Sequence, residues 1–188
     1  MNLYSLLRDR ERRSPLRRDR LFVVHRLDRD TSGLLVFARS ARVKDALQSA
    51  FEQGAVERRY EAVVTGRKLP LGQTLRVTIN LAQDKKGNIR VVPTGGKECV
   101  TYVKCLAQGA QRALLDISLL TGRRNQIRLS LVTLGCPILG DRKYRGQPAE
   151  RMMLNAYLLD FPAELGLKRS HFEVPRLFAK GFNPPERD

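Results

Sequence analysis

The sequence predicts an α+β fold, and three observations carry that expectation. Short runs with strand character outnumber helical repeats. The middle of the chain reads as antiparallel strands joined by turn chemistry. Strands and helices do not alternate one for one, as a parallel sheet would require. The 188 residues, 42% of them hydrophobic, suffice for a core of ordinary domain size. The expected organisation is an Arg-rich arm over residues 1–20, one folded domain over 21–182 and a loose tail over 183–188, which contains Asn183-Pro184-Pro185.

The elements follow in order. Asn2 is placed to cap a short helix bearing Leu3, Leu6 and Leu7. Leu21-Phe22-Val23-Val24 and Leu34-Leu35-Val36-Phe37 are apolar runs that predict strands, with a polar turn over residues 28–33 between them. Ser40 reads as an N-cap for a helix carrying Val43, Leu47, Ala50 and Phe51, which Gly54 stops. Residues 57–65 predict a strand closed by Gly66. Residues 74–80 place Leu75, Val77 and Ile79 on one face, and residues 84–88 form a turn into a return strand over 89–92. Strands are expected near 99–106 and 112–120. The second contains Asp116, a polar residue in an apolar strand that must face solvent or meet an Arg. Thr121 reads as the cap of a helix with Ile127, Leu131 and Leu134 on one face, ended by Gly135 and Pro137. Arg124 and Arg128 would then share a face, four residues apart. Residues 152–161 and 172–174 complete the predicted strands.

Charge narrows the partners. The chain holds 35 Lys+Arg against 19 Asp+Glu, a net charge of +16 with 26 of the cations Arg. That balance favours a polyanion, and Arg suits planar phosphate contacts. The arm carries +4 and residues 121–151 carry +5. The arm reads either as a solvated extension or as a phosphate-contacting one. No apolar run approaches the roughly 20 residues that cross a bilayer, and the N-terminus lacks the apolar stretch of a secretory signal. Three irregularly spaced cysteines (Cys99, Cys105, Cys136) and two histidines argue against a disulfide framework and against structural zinc. The expectation is a reduced, cytoplasmic protein, monomeric by default, that faces nucleic acid.

Three stretches can carry chemistry. His25-Arg26-Leu27-Asp28-Arg29-Asp30-Thr31-Ser32-Gly33 sets an Asp between two Arg at a strand end. It is either an Asx-turn with solvated arginines or a carboxylate kept ionised by neighbouring cations. Leu120-Thr121-Gly122-Arg123-Arg124-Asn125-Gln126-Ile127-Arg128 combines a helix start with several Arg, which suits an anion, although a solvated helix face has the same pattern. Tyr60 lies in a basic strand, where its ring is either core or a surface on which a base stacks.

The stretch HRLDRDTSGLLVFA over residues 25–38 resembles the signature of the RluA-type pseudouridine synthases, enzymes that isomerise uridine in RNA. Residues 59–66 (RYEAVVTG) are similar to the family's second motif, and residues 119–128 to its third. Gly135-Cys136-Pro137-Ile138-Leu139-Gly140-Asp141 with Tyr144 is similar to the loop that follows. The stretch from Gly96-Lys97 to Thr101-Tyr102 and Leu154-Asn155-Ala156-Tyr157 also fit. The resemblance covers roughly residues 21–180, and several long motifs in order are far more specific than one short pattern.

The resemblance implies a mixed, largely antiparallel sheet with flanking helices around a central cleft. It implies Asp28 as nucleophile, Tyr60 as the ring that stacks on the target uracil, and Arg128 as the partner of Asp28. Arg26 matches the residue that fills the space left when the base leaves the stack, a step needed because the scissile bond is unreachable within a helix. The other candidate RNA contacts are His25, Arg29, Thr31, Arg123, Arg124, Asn125 and Gln126. The reaction breaks the N1–C1′ bond, turns the base and rejoins it through C5. The carboxylate attacks C1′, attacks C6, or deprotonates the sugar. No metal or other cofactor is implied, and the partner is structured ribosomal or transfer RNA.

The chain departs from the family pattern in two places. Asn125 and Ser130 stand where His is usual. Only 24 residues precede His25, without the strand, the Lys-Pro-rich loop or the S4-type domain often found upstream, which predicts a fragment or a shortened form. The competing expectation is therefore a catalytically impaired or truncated relative that binds RNA.

Overall fold

The computed structural model of the protein describes residues 3–13, 20–179 and 182. The capping role of Asn2 and the tail at 183–188 lie outside the described residues. Helix α1 (Leu3–Arg13) is followed by three two-residue strands, β1 (Phe22–Val23), β2 (Ser32–Gly33) and β3 (Phe37–Ala38). The rest of the fold is α2 (Ala41–Glu52), β4 (Glu57–Thr65), β5 (Thr74–Gln83), β6 (Ile89–Val92), β7 (Lys97–Gln108), β8 (Arg112–Leu119), α3 (Gln126–Thr133), β9 (Leu154–Asp160) and β10 (His171–Glu173).

Seven strands form the path β10-β9-β4-β8-β7-β5-β6, each antiparallel to its neighbours, and β2 pairs with β9 in parallel. The sheet is thus mixed and largely antiparallel, as the α+β reading requires. The alternating pattern of 74–80, the turn at 84–88 and the return at 89–92 become the β5–β6 hairpin. Asp84 holds its turn by accepting from the backbone N–H groups of Lys86 and Asn88 at 2.9 and 2.8 Å.

The two N-terminal apolar runs are shorter as strands than expected. Only Phe22–Val23 and Phe37–Ala38 pair, as a separate antiparallel ribbon. Three of the unpaired side chains, Val24, Leu34 and Val36, pack instead into a second core with Leu47, Ala50 and Phe161, so burial rather than a hydrogen-bonded ladder explains their apolar character. Ser40 caps α2 as expected, accepting from the Val43 N–H at 3.3 Å. Gly54, at φ 73°, ends that segment in the left-handed region.

Thr121 does not cap α3. The helix begins at Gln126, after Asn125 at φ 58°, a left-handed conformation through which a right-handed helix cannot extend backwards. Thr121 joins the loop to β7 instead, accepting from the Val100 N–H at 3.0 Å and donating to Gln126 Oε1 at 2.8 Å. Arg124 therefore lies outside the helix and shares no helical face with Arg128. It reaches the Gly87 carbonyl on the β5–β6 turn at 3.4 Å. α3 is buried over residues 126–131 and packs on β5 and β7.

Period two along β4 sorts its side chains. Tyr60, Ala62 and Val64 enter the main core beneath α3, while Val63 joins a smaller core on the opposite face with Leu114 and Leu139. Asp116 is buried on that opposite side. It meets an Arg, as one of its two expected environments: Arg59 donates to Oδ2, and the Tyr157 hydroxyl donates to Oδ1 at 2.8 Å. Among the described residues no helix is long and apolar enough to cross a membrane.

Candidate active site

The segment after β1 crosses between the two larger cores. Val24 packs into the second core and Leu27 against the main one, which turns Arg26 and Asp28 toward a common cavity. A turn follows Asp28, closed by the Thr31 N–H donating to the Asp28 carbonyl at 3.0 Å. The backbone closes the turn, so the Asp28 carboxylate is left for other partners. β2 then anchors the turn against β9. The Ser32 hydroxyl donates to Asn155 Oδ1 at 2.8 Å, and the Leu34 N–H donates to the Ala156 carbonyl at 2.8 Å. Gly33 is required here: at φ 111°, a Cβ would lie 2.0 Å from the Ala156 carbonyl oxygen.

Asp28 faces α3. Its Oδ2 lies 3.7 Å from Arg128 Nη1. Arg128 makes its close contacts elsewhere, a bidentate pair with Asp141 at 2.7 Å from both Nε and Nη2. Burial opposes the Arg128 charge, but the hydrogen bonds and charge of Asp141 outweigh it, with Asp28 and Tyr144 adding, so the guanidinium pKa is raised. The Arg128 guanidinium also lies 4.7 Å over the Tyr144 ring. Asp141 reaches this position because residues 137–139 run beside β4, with hydrogen bonds from Thr65 N to Pro137 O and from Leu139 N to Val63 O. Asp141 Oδ1 then accepts from the Lys143 and Tyr144 N–H groups, both at 3.1 Å.

Asn125 supplies the second contact to Asp28. Its left-handed backbone turns the side chain away from the helix end, where it makes no capping bond. One amide orientation puts Nδ2 at 3.0 and 3.1 Å from the two Asp28 carboxylate oxygens, with Oδ1 accepting from the Tyr144 hydroxyl at 2.8 Å. The reverse orientation gains a 3.3 Å bond from Arg128 Nη1 but sets the amide oxygen against the carboxylate. The first is assigned, because an ionised carboxylate accepts only.

Tyr60 and Asp28 both line a cavity of about 690 Å³ that also includes Arg26, Phe51, Arg58, Arg123 and Arg124. A smaller recess of about 60 Å³ adjoins it, bounded by Asp28, Tyr60, Thr31, Asn125 and Ile127. Tyr60 is 8% exposed. Burial, against an opposing effect of Arg58 and with the Asp28 charge adding, pushes its phenol up to about 12, so it keeps its proton at neutral pH.

The remaining expected contacts divide. Arg26, Arg123 and Arg124 are exposed on the cavity wall. Arg29 and Thr31 line a separate opening of about 350 Å³ with Arg142 and Arg151, and the buried Thr31 Oγ1 has no hydrogen-bond partner among the described residues. His25 reaches the large cavity, but its Nε2 accepts from the Val36 N–H at 3.1 Å and its ring stacks on Phe51. Burial first and Arg58 second push its pKa down to about 4. Gln126 is 2% exposed and its amide is fully engaged, donating to Val100 O and Thr101 Oγ1 and accepting from Thr121 and the Arg123 N–H. It shapes the loop and offers nothing to a ligand. Ser130 is buried and shares a 3.1 Å hydrogen bond with Thr101. The sequence reading assigned no role to Asp141, Tyr144 or Arg58. Arg58 was accessible to it, because two-residue periodicity puts Arg58 on the face of Tyr60.

Among the described residues no group of three or more His, Cys, Asp or Glu is arranged to hold a metal ion. The three cysteines are free and buried, and burial raises each thiol pKa.

The chain is similar to known proteins. A family model described as RNA pseudouridylate synthase matches residues 2–132. The chain is 37% identical over 165 residues to an uncharacterized RNA pseudouridine synthase of Zymomonas mobilis, covering 81% of this chain and 72% of that protein. It is 36% identical over 124 residues to ribosomal large subunit pseudouridine synthase C of Rickettsia prowazekii, covering 65% of this chain but 41% of that one. The solved structure of Human RNA Pseudouridylate Synthase Domain Containing 1 shares the fold, with a TM-score of 0.74 at 22% identity over 87% of this chain and 72% of that one. With the family model spanning most of the chain and the sheet matching, the chain belongs to the RluA-type RNA pseudouridine synthases, a family of isomerases.

Proposed function

We propose that this chain converts uridine to pseudouridine in structured ribosomal or transfer RNA, in the cytoplasm, with Asp28 as the catalytic carboxylate and no cofactor. One observation carries the reading: the Asp28 carboxylate lies on the wall of a large basic cavity beside Tyr60, with Arg128 and Asn125 behind it. Names of relatives such as ribosomal large subunit pseudouridine synthases C and D support a ribosomal target.

The chemistry asks little beyond these groups. The N1–C1′ bond breaks, C5 joins C1′, the C5 proton leaves and N1 ends protonated. Nothing is oxidised and no outside group is transferred. Attack on C1′, attack on C6 and proton removal from the sugar all start from an ionised carboxylate. The cationic Arg128 and the Asn125 amide stand beside that carboxylate. Tyr60, holding its proton, offers its ring face to the extruded uracil. Arg26 is exposed at the cavity, which supports its role in filling the gap in the RNA.

The test is pseudouridine mapping across total RNA from cells lacking the gene, complemented with wild type or with Asp28→Ala. The wild-type gene restores specific sites and Asp28→Ala does not, with loss of roughly a thousandfold or more in purified assays and RNA binding retained. Identical maps in all strains would leave an RNA-binding relative without the activity.

A further inference from the structure

Arg58 is a buried cation without a counter-ion among the described residues. It is 6% exposed, yet among the described residues it forms no ion pair with any carboxylate. Its Nε is buried and has no hydrogen-bond partner among them. Among the described residues its only hydrogen bond runs from Nη2 to the Leu119 carbonyl, long at 3.4 Å. The guanidinium lies 5.7 Å from the Phe51 ring centre. Such a group is costly to bury, and proteins ordinarily pair it. Its neighbour on the strand, Arg59, faces the other way and has Asp116.

The seat of Arg58 is built. Gly122 packs against it so closely that a Cβ there would lie 2.3 Å from Nη1. Leu119, Gly122 and Phe51 border the same cavity as Arg58, Tyr60 and Asp28. A planar cation with an unmet donor therefore sits between a loop and an aromatic ring, in the cavity that holds the proposed catalytic carboxylate. Arg26, Arg123 and Arg124 add positive charge around it.

We propose that Arg58 and the 119–124 loop form a subsite for a phosphodiester next to the nucleotide on which Asp28 acts. The missing counter-ion of Arg58 is then supplied by the RNA. The ligand chemistry is a phosphate attached to a uridine, a monoanion as the diester in RNA, and the guanidinium donates to two of its oxygens. This assignment rests on the proposed function for the identity of the nucleotide, but not for the phosphate contact itself.

The experiment titrates the whole chain with uridine, uridine 5′-monophosphate and uridine 3′-monophosphate, following backbone amide signals by NMR. Wild type should bind one monophosphate about tenfold or more tightly than uridine, the scale of a charge-assisted hydrogen-bonded contact. Which of the two is preferred tells on which side of the nucleotide the phosphate lies. Arg58→Gln should erase the preference and Arg58→Lys should retain part of it, since an ammonium keeps the charge but not the fork. Gly122→Ala provides an independent variant. It keeps every charge and displaces only the end of the Arg58 side chain, so it should reduce the preference in a protein that melts cooperatively. Equal affinity of wild type for all three ligands, or a preference unchanged in folded Arg58→Gln and Gly122→Ala proteins, overturns the subsite. Asp28→Asn should keep the phosphate preference and lose pseudouridine formation. A wild type that prefers the monophosphate yet modifies no RNA removes the proposed activity and leaves the subsite standing.

Discussion

Asp28 sits in a hierarchy of contacts. Arg128 gives its two shortest bonds to Asp141 and presents only Nη1 to Asp28, at 3.7 Å. Asp141 thus fixes the guanidinium, and Asn125 holds the carboxylate. This leaves Asp28 partnered but not locked, which suits the catalytic role proposed for it. His25 shows a different logic three residues away. Its folded pKa near 4 lies below the ordinary 6.5, so the neutral ring stabilises the fold fully above pH 6.5. That contribution, at most about 3 kcal/mol, is lost as pH falls from 6.5 through 4. Urea unfolding of wild type and His25→Gln at pH 7, 5.5 and 4.5 checks this: the stability gap between the two proteins should narrow toward pH 4.5. A gap independent of pH would show that His25 does not stay neutral. At this scale the sequence revealed Asp28 and Arg128 only through motif resemblance. Nothing local in residues 125–144 says that Arg128 closes on Asp141 or that Asn125 turns toward Asp28, because both contacts depend on a loop crossing beside β4.

The elements that position the site are held by a few obligatory approaches. β2 is only two residues long, yet it ties the Asp28 turn to β9. Asn155 extends the tie, accepting from Ser32 and donating to the buried Glu61 of β4 at 3.0 Å. Glu61 in turn accepts from the Leu177 and Phe178 N–H groups, which joins the C-terminal segment to the same network. Gly33 is where this arrangement is least forgiving. Gly33→Ala forces a methyl into the Ala156 carbonyl at a left-handed φ, so it should cost about 2 kcal/mol or more and separate the turn from β9. Thermal melting combined with amide exchange at Leu34 measures both effects. An unchanged melt with Leu34 still protected would mean the backbone relaxes without loss. Strands β4 to β8 were legible because period two and turn residues are local signals. The β1 and β3 runs were over-read as strands because an apolar run has the same composition whether it pairs or merely packs. Thr121 was misread as a cap because a Thr before a helix has the same pattern when its hydroxyl serves a neighbouring strand.

On the scale of the whole molecule, the +16 charge has a route. The large cavity and the small recess share Arg26, Asp28, Tyr60 and Arg123, and the recess shares Thr31 with the opening lined by Arg29, Arg142 and Arg151. The openings form a linked series with Asp28 near its middle. The sequence showed that residues 121–151 are basic; the fold brings that segment and residues 26–29 to one track. Arg29 and Arg142 are exposed there, and neither side chain is committed to an ion pair among the described residues. If RNA follows the track, each contributes a phosphate contact and the release of a counterion. The double variant Arg29→Ala/Arg142→Ala should then bind bulk ribosomal RNA more weakly, and the slope of log K against log salt should flatten by about 1.4 to 1.8, at 0.7 to 0.9 per phosphate. Filter binding across a salt series measures it. An unchanged slope would route the RNA away from this opening and assign its charge to solubility alone.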